Sequence, residues 1–270
     1  MMLRGPMGER ATVGWFDGLL FCAWTDSRED VIELVCGMRE DRNTRSIIPS
    51  VLVPMLREVL SRRRRLLLHA AAVYCPNAVG IQLVAPSCGG KTTTSMSLVR
   101  RGALLVADDL LVLDSSCEHP KVFGIPKLLN LRRPTMEIFQ ELCQYSEVEH
   151  RLRGKASVHP QALFGPGCTT ASCPVHVIYF LNLTAGPPSA YPLETEEALK
   201  RLILCHTFAY EQEIAAASVI MLCELLSCAR TYQLNTGENA DGLGGWLLDN
   251  CAEHATPHFV GSPEDKTGDE

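Results

Sequence analysis

The sequence predicts an α/β fold with a mixed sheet around a phosphate-binding loop, preceded by a small α+β region. Three observations predict it. The apolar stretch Val79 to Val84 runs directly into Ala85-Pro86-Ser87-Cys88-Gly89-Gly90-Lys91-Thr92. A helical pattern with Met96, Leu98 and Val99 on its apolar side follows, and Gly102 offers a C-terminal cap. Residues 103–107 (ALLVA) then read as a buried strand that ends on Asp108-Asp109.

The other elements follow in chain order. Residues 12–24 read as one or two strands around the turn Asp17-Gly18, and 29–39 as a short helix. Ile47 to Leu60 is an apolar helix interrupted by Pro49 and Pro54. The run Arg62 to Arg65 suits a solvated helix end, where cations favour the C-terminal dipole. A site for phosphate or an acidic substrate is its second reading. Residues 66–75 and 79–84 form a hairpin turned at Pro76-Asn77. Leu110 to Leu113 and Val122 to Leu131 are extended, and Pro134 to Tyr145 is helical. Arg151 to Gly167, polar and punctuated by Gly and Pro, reads as a loop. Val175 to Leu183 is a buried strand. Thr195 caps a helix reaching about His206, and a second helix covers Glu211 to Cys228. Thr231 to Leu234 is a last strand, and Leu243 to Leu248 a last helix. The domain boundaries expected are 1–62, 63–250 and an acidic, disordered tail at 251–270.

Charge and cysteine usage narrow the function classes. The net charge of the 270 residues is −6, and the last 19 carry five acids and one lysine. Neither balance suggests a nucleic-acid partner. No apolar run is long enough to span a bilayer. The N-terminus MMLRGPMGER has no apolar signal core. The twelve cysteines form no CxxC pair, and several sit in apolar stretches. Buried thiols in a reducing cytoplasm are the expectation.

The chemistry centres on three places. Residues 85–92 match G-x-x-x-x-G-K-[ST] except at the first position, where Ala85 stands. A polyphosphate needs inward backbone N–H groups, a helix N-terminus and one lysine charge. Ser87, Cys88, Gly89, Gly90, Lys91, Thr92 and Thr93 are therefore the nucleotide-binding candidates, with the Thr92 hydroxyl directed to Mg²⁺. Asp108 and Asp109 follow Lys91 at seventeen residues, room for one helix and a returning strand. Adjacent carboxylates beside a phosphate loop suit one metal ligand and one proton acceptor. A turn or cap is the plainer use of such a pair. His69 is the third place. It lies on the strand paired with the one that feeds the loop, within range of the γ-phosphate or the acceptor hydroxyl, although a hydrogen-bonded core histidine is the commoner case.

These residues together resemble the HPr kinase/phosphorylase superfamily, whose fold is related to ATP-dependent phosphoenolpyruvate carboxykinase. The resemblance is carried by His69-Ala70-Ala71-Ala72-Val73, by Ala85 to Thr92, and by Arg101-Gly102 with Val106-Ala107-Asp108-Asp109. Gly124-Ile125-Pro126-Lys127 to Leu131 and Thr231-Tyr232-Gln233-Leu234 resemble a looser branch found near peptide-modification pathways, including kinases of lasso-peptide precursors. The resemblance implies a phosphoenolpyruvate-carboxykinase-like core and an ATP- and Mg²⁺-dependent serine or threonine kinase of a peptide or small protein, which can assemble as a homo-oligomer. By it, Lys91 and the loop hold ATP, Thr92 and Asp109 hold Mg²⁺, and Asp108 is the general base. Residues 1–62 then serve substrate recognition. Ala85 and Cys88 stand where glycines are usual. No Glu-Ile-Arg-Gly stretch follows the aspartates, which points away from HPr itself as acceptor. A small-molecule kinase or ATPase of another phosphate-loop class, and a nucleotide-binding protein without turnover, are the alternatives.

Overall fold

The computed structural model describes residues 63–116, 119–140, 142, 155–205 and 212–256, together with 2–4, 10–16, 19–25, 32–36, 53, 56–57 and 59–61. Near the N-terminus, β1 (Met2–Arg4), β2 (Arg10–Phe16), β3 (Leu19–Thr25) and β4 (Ile32–Cys36) form one antiparallel sheet in sequence order. The strands β2 and β3 realise the expected hairpin. The short helix expected at 29–39 is instead β4, where Ile-Glu-Leu-Val-Cys has the alternation and branched residues of a strand. Residues 53, 56–57 and 59–61 are helical, within or just beyond the apolar helix expected there.

The centre of the molecule is a six-stranded mixed sheet ordered β15-β16-β14-β7-β6-β8. Its strands are β6 (Ala71–Tyr74), β7 (Gly80–Val84), β8 (Leu104–Ala107), β14 (Val177–Asn182), β15 (Ser189–Pro192) and β16 (Arg230–Asn235). The strands β7, β14 and β16 are parallel, and the others join antiparallel. A central strand covered on both faces must be apolar on both. In β14, Val177, Tyr179 and Leu181 enter one core, and Ile178 and Phe180 enter the other. The first core is closed by helices Lys91–Val99 and Leu243–Ala255 through Met96, Leu98, Leu243 and Leu247. The second is closed by helices Thr195–Cys205 and Gln212–Cys228 through Leu202, Leu222 and Leu225.

A second sheet, ordered β13-β10-β9-β5, is wholly antiparallel. It contains β5 (Arg65–Leu68), β9 (Leu111–Asp114), β10 (Lys121–Gly124) and β13 (Ser172–Pro174). The expected strand over 66–75 therefore breaks at His69-Ala70, because its two halves join different sheets. The four-arginine run does not simply end a helix. Arg65 opens β5 and bonds Asp114 at 2.8 Å, and Arg64 bonds Glu224.

Three further expectations change. Within 151–167 the chain forms β12 (Lys155–Val158) and helix Pro160–Phe164. Ala156 and Val158 alternate into the core there, against β11 (Leu129–Arg132). The helix expected over 134–145 is Arg133–Ile138, with residues 143–145 outside the described ones. The last helix extends to Ala255, so the first residues assigned to the acidic tail are helical and Cys251 is fully buried. No helix among the described residues is long and apolar enough to cross a membrane.

Candidate active site

The two sheets share a crossing point, and the site lies on it. Strand β5 pairs with β9, ending on Leu68↔Leu111, while β6 pairs with β8, beginning on Ala72↔Ala107. The chain thus passes between sheets twice at one place, through His69-Ala70 and through Asp108 to Leu110. Pairing on both sides forces these connections together. His69 Nε2 lies 2.7 Å from Asp109 Oδ1, and Lys127 Nζ lies 2.6 Å from Asp109 Oδ2.

The loop from Ala85 to Gly90 leaves the end of β7 beside this crossing. Cys88 and Gly90 adopt left-handed backbone, at φ 64° and 90°. Such geometry is unrestricted for Gly90 but strained for Cys88. Ala85 is buried, and a Cβ placed on Gly89 would fall 2.6 Å from the Ala85 methyl. The alanine at the first loop position is thus accommodated by the glycine at the fifth. Lys91 opens the helix, and its buried ammonium donates to Ala85 O at 2.7 Å and Pro86 O at 3.1 Å. Burial pushes this lysine below its ordinary pKa, and the nearby carboxylates act against that shift.

A cleft of about 520 Å³ opens here, and residues Ser87 to Thr93, His69, Asp108 and Asp109 all line it. The two aspartates differ sharply in environment. Asp108 is buried, and burial raises its pKa, although a hydrogen bond with Thr92 counteracts this. Its Oδ1 has no hydrogen-bond partner among the described residues. Asp109 is held well below the usual carboxylate range, first by the hydrogen bond from His69 and then by Lys127.

These features test the fit of a nucleotide and a magnesium ion. Glycines at 89 and 90 leave the close approach that phosphates need, and a helix N-terminus stands behind them. An orphaned buried carboxylate oxygen next to a threonine hydroxyl suits a hard cation with oxygen ligands. The residues therefore fit both groups.

Several lining residues carry no motif in the sequence. Asn130, Arg132 and Thr135 form one wall, and Leu183 to Ala185 with Thr236 and Gly237 form another. Thr135 Oγ1 is 3.0 Å from Thr93 Oγ1, tying the first wall to the loop helix. Lys127 lies in a stretch noted above, but its pairing with Asp109 has no local signature. An isolated lysine among extended apolar residues is the only trace it leaves.

Comparison with known protein families and with curated proteins finds no match. Among solved structures, the chain is similar to the Hpr(Ser) kinase/phosphatase from Coxiella burnetii at 16% identity, over 70% of this chain and 95% of that one, with a TM-score of 0.39.

Proposed function

We propose that the protein is an ATP- and Mg²⁺-dependent kinase that phosphorylates a serine or threonine hydroxyl on a peptide or small protein. The observation that carries this reading is one cleft joining a phosphate loop to two unlike aspartates. Lys91 leaves the carbonyls of Ala85 and Pro86 to meet the phosphates. Thr92 and Asp109 hold magnesium, which screens phosphate charge when bound. Asp109 suits that role because it stays ionised. Asp108, with its raised proton affinity, accepts the proton of the attacking hydroxyl. His69 and Lys127 fix Asp109 in place.

The hydrogen bond between Thr92 and Asp108 and the unpartnered Asp108 Oδ1 favour a second reading, in which the two aspartates exchange roles. Asp108→Asn and Asp109→Asn separate the two. The base variant keeps the magnesium requirement for nucleotide binding and loses turnover by about 10²–10⁴-fold. The metal variant shifts the magnesium requirement itself.

A peptide acceptor rests on the resemblance described above, with the N-terminal region as the proposed recognition segment. A phosphoenolpyruvate-carboxykinase-like core and a homo-oligomer belong to the same reading. A cytoplasmic location belongs to the same reading, and Cys75, Cys88, Cys168, Cys173, Cys205, Cys223, Cys228 and Cys251 are free thiols. The test is transfer of labelled γ-phosphate to short hydroxyl-bearing peptides. Binding of ATP without transfer to any acceptor or to water would leave a nucleotide-binding protein without turnover.

A further inference from the structure

The wall of Asn130 and Arg132 presents hydrogen-bond donors to the cleft. This follows from strand periodicity. In β11, Leu129 and Leu131 point into the core and are fully buried. Successive side chains alternate, so Asn130 and Arg132 must share the opposite face, and both line the cleft.

Their chemistry is narrowed by neighbours. Asn130 is paired across the ladder with Ser157, whose hydroxyl donates to Asn130 Oδ1 at 3.1 Å. That contact engages one lone pair of the amide oxygen and sets which way the amide is turned, leaving its NH₂ group for the cleft. Arg132 presents donors only. Its neighbour Arg133 is bonded to Glu137 at 2.9 Å, whereas Arg132 has no ion-pair partner among the described residues. Its backbone is fixed as the residue capping helix Arg133–Ile138, and Thr135 of that helix meets Thr93. The guanidinium is therefore anchored at its base relative to the phosphate loop.

Charge balance points the same way. The loop side supplies Lys91, and the crossing supplies two carboxylates, one of them already paired with Lys127. A nucleotide polyphosphate entering this cleft needs further positive charge. A planar guanidinium beside an amide NH₂ matches phosphate oxygens in geometry and charge.

We propose that Asn130 and Arg132 form a second phosphate-binding wall that holds the nucleotide polyphosphate together with Lys91, with Ser157 as the positioning residue for the Asn130 amide. This rests on the nucleotide reading above and deepens it. A phosphorylated or carboxylate-bearing acceptor would present the same oxygens, and the experiment distinguishes the two sources.

The experiment measures affinity for ATP, ADP and pyrophosphate by calorimetry on the full chain and on Arg132→Gln, Asn130→Asp, Ser157→Ala and Lys91→Met. Arg132→Gln should weaken ATP, ADP and pyrophosphate by at least about tenfold, the usual effect of losing a charge-assisted hydrogen bond. The dependence of ATP affinity on salt should also flatten. Asn130→Asp places negative charge on the wall and should weaken all three ligands more. Ser157→Ala frees the amide to turn over and should give a smaller loss of the same kind. Unchanged unfolding midpoints in these variants show that the fold is intact. Arg132→Gln and Asn130→Asp that both stay within twofold of the native affinities, while Lys91→Met abolishes binding, would overturn the proposal and leave the nucleotide site standing. Loss of acceptor KM alone, with ATP affinity intact, would overturn it in favour of an acceptor anion. A native chain that binds no nucleotide or pyrophosphate would overturn the site and the wall together.

Discussion

His69 and Asp109 meet at 2.7 Å because each sits where the chain passes from one sheet to the other. Neither strand pairing alone would bring them together. Two antiparallel pairs, β5 with β9 and β6 with β8, do so jointly. His69, Asp108 and Asp109 lie outside both ladders and line the cleft.

Removal of the His69 contact is expected to reach activity through Asp109. In His69→Ala the carboxyl loses its first source of stabilisation and its pKa rises toward the ordinary range. The magnesium concentration needed for half-maximal turnover should rise, while the acid limb of the pH–rate profile, set by the raised Asp108, stays in place. Turnover efficiency should fall about 10–100-fold, as when a supporting partner of a metal ligand is removed. His69→Gln, which keeps a donor, should recover part of both. A magnesium requirement that does not move would show that Asp109 acts independently of His69.

The loop supports a compensation experiment. Gly89→Ala forces a methyl to 2.6 Å from that of Ala85 and to 3.0 Å from Pro86 O. Nucleotide binding should be lost. Adding Ala85→Gly removes the nearer obstruction, so the double variant should bind better than Gly89→Ala alone. Equal binding by the single and double variants would mean that the Ala85 methyl is not the obstacle.

Stability should fall as the solution becomes acidic. His176 Nδ1 accepts the Gly80 N–H at 2.9 Å, which requires an unprotonated nitrogen. Burial lowers its pKa, and the charge of His119 adds to that. An unfolded histidine titrates near about 6.5, and the folded value lies below it. The stability contributed is complete above about 6.5 and is lost as pH falls through the folded value. Asp108, raised by burial, acts in the opposite sense. The quantity to read is therefore the difference in denaturant midpoint between the native chain and His176→Asn. That difference should shrink on acidification.

Gln82 offers a prediction in the stabilising direction. It is fully buried in β7, and neither its Oε1 nor its Nε2 has a partner among the described residues. An unsatisfied buried amide costs about 1–3 kcal/mol. Gln82→Met has nearly the same shape and should raise stability by about 1 kcal/mol, read as a higher denaturant midpoint. A lower midpoint would reveal an ordered water that the amide holds.

The sequence makes the loop legible because its spacing is local. The strands β7, β8 and β14 are equally plain, since two-sided burial leaves nearly continuous apolar runs, and β16 shows itself by the alternation of Tyr232 and Leu234. Sheet membership is not local. Leu66 to Tyr74 looks like one strand, and only the partners of its halves reveal the break at His69. The strand β12 is hidden because half of it is polar and its burial depends on β11. Lys127, Asn130 and Arg132 escape for the same reason: each gains its meaning from a residue far away in the chain. The aspartates lie between these extremes. Their spacing from Lys91 places them near the loop, but their contrasting proton affinities come from packing.

Tyr179 stands at the middle of the central sheet, fully enclosed, and its hydroxyl is 2.6 Å from His254 Nδ1 on the last helix. The same imidazole stacks on Tyr232, with ring centres 4.4 Å apart. A shortened version of the chain stopping at residue 250 would strip the phenol of its hydrogen-bond partner and uncover the ring beside it. The final helical turns thus act as a plug for the heart of the molecule, and any trimming or fusion at that end has to begin after them.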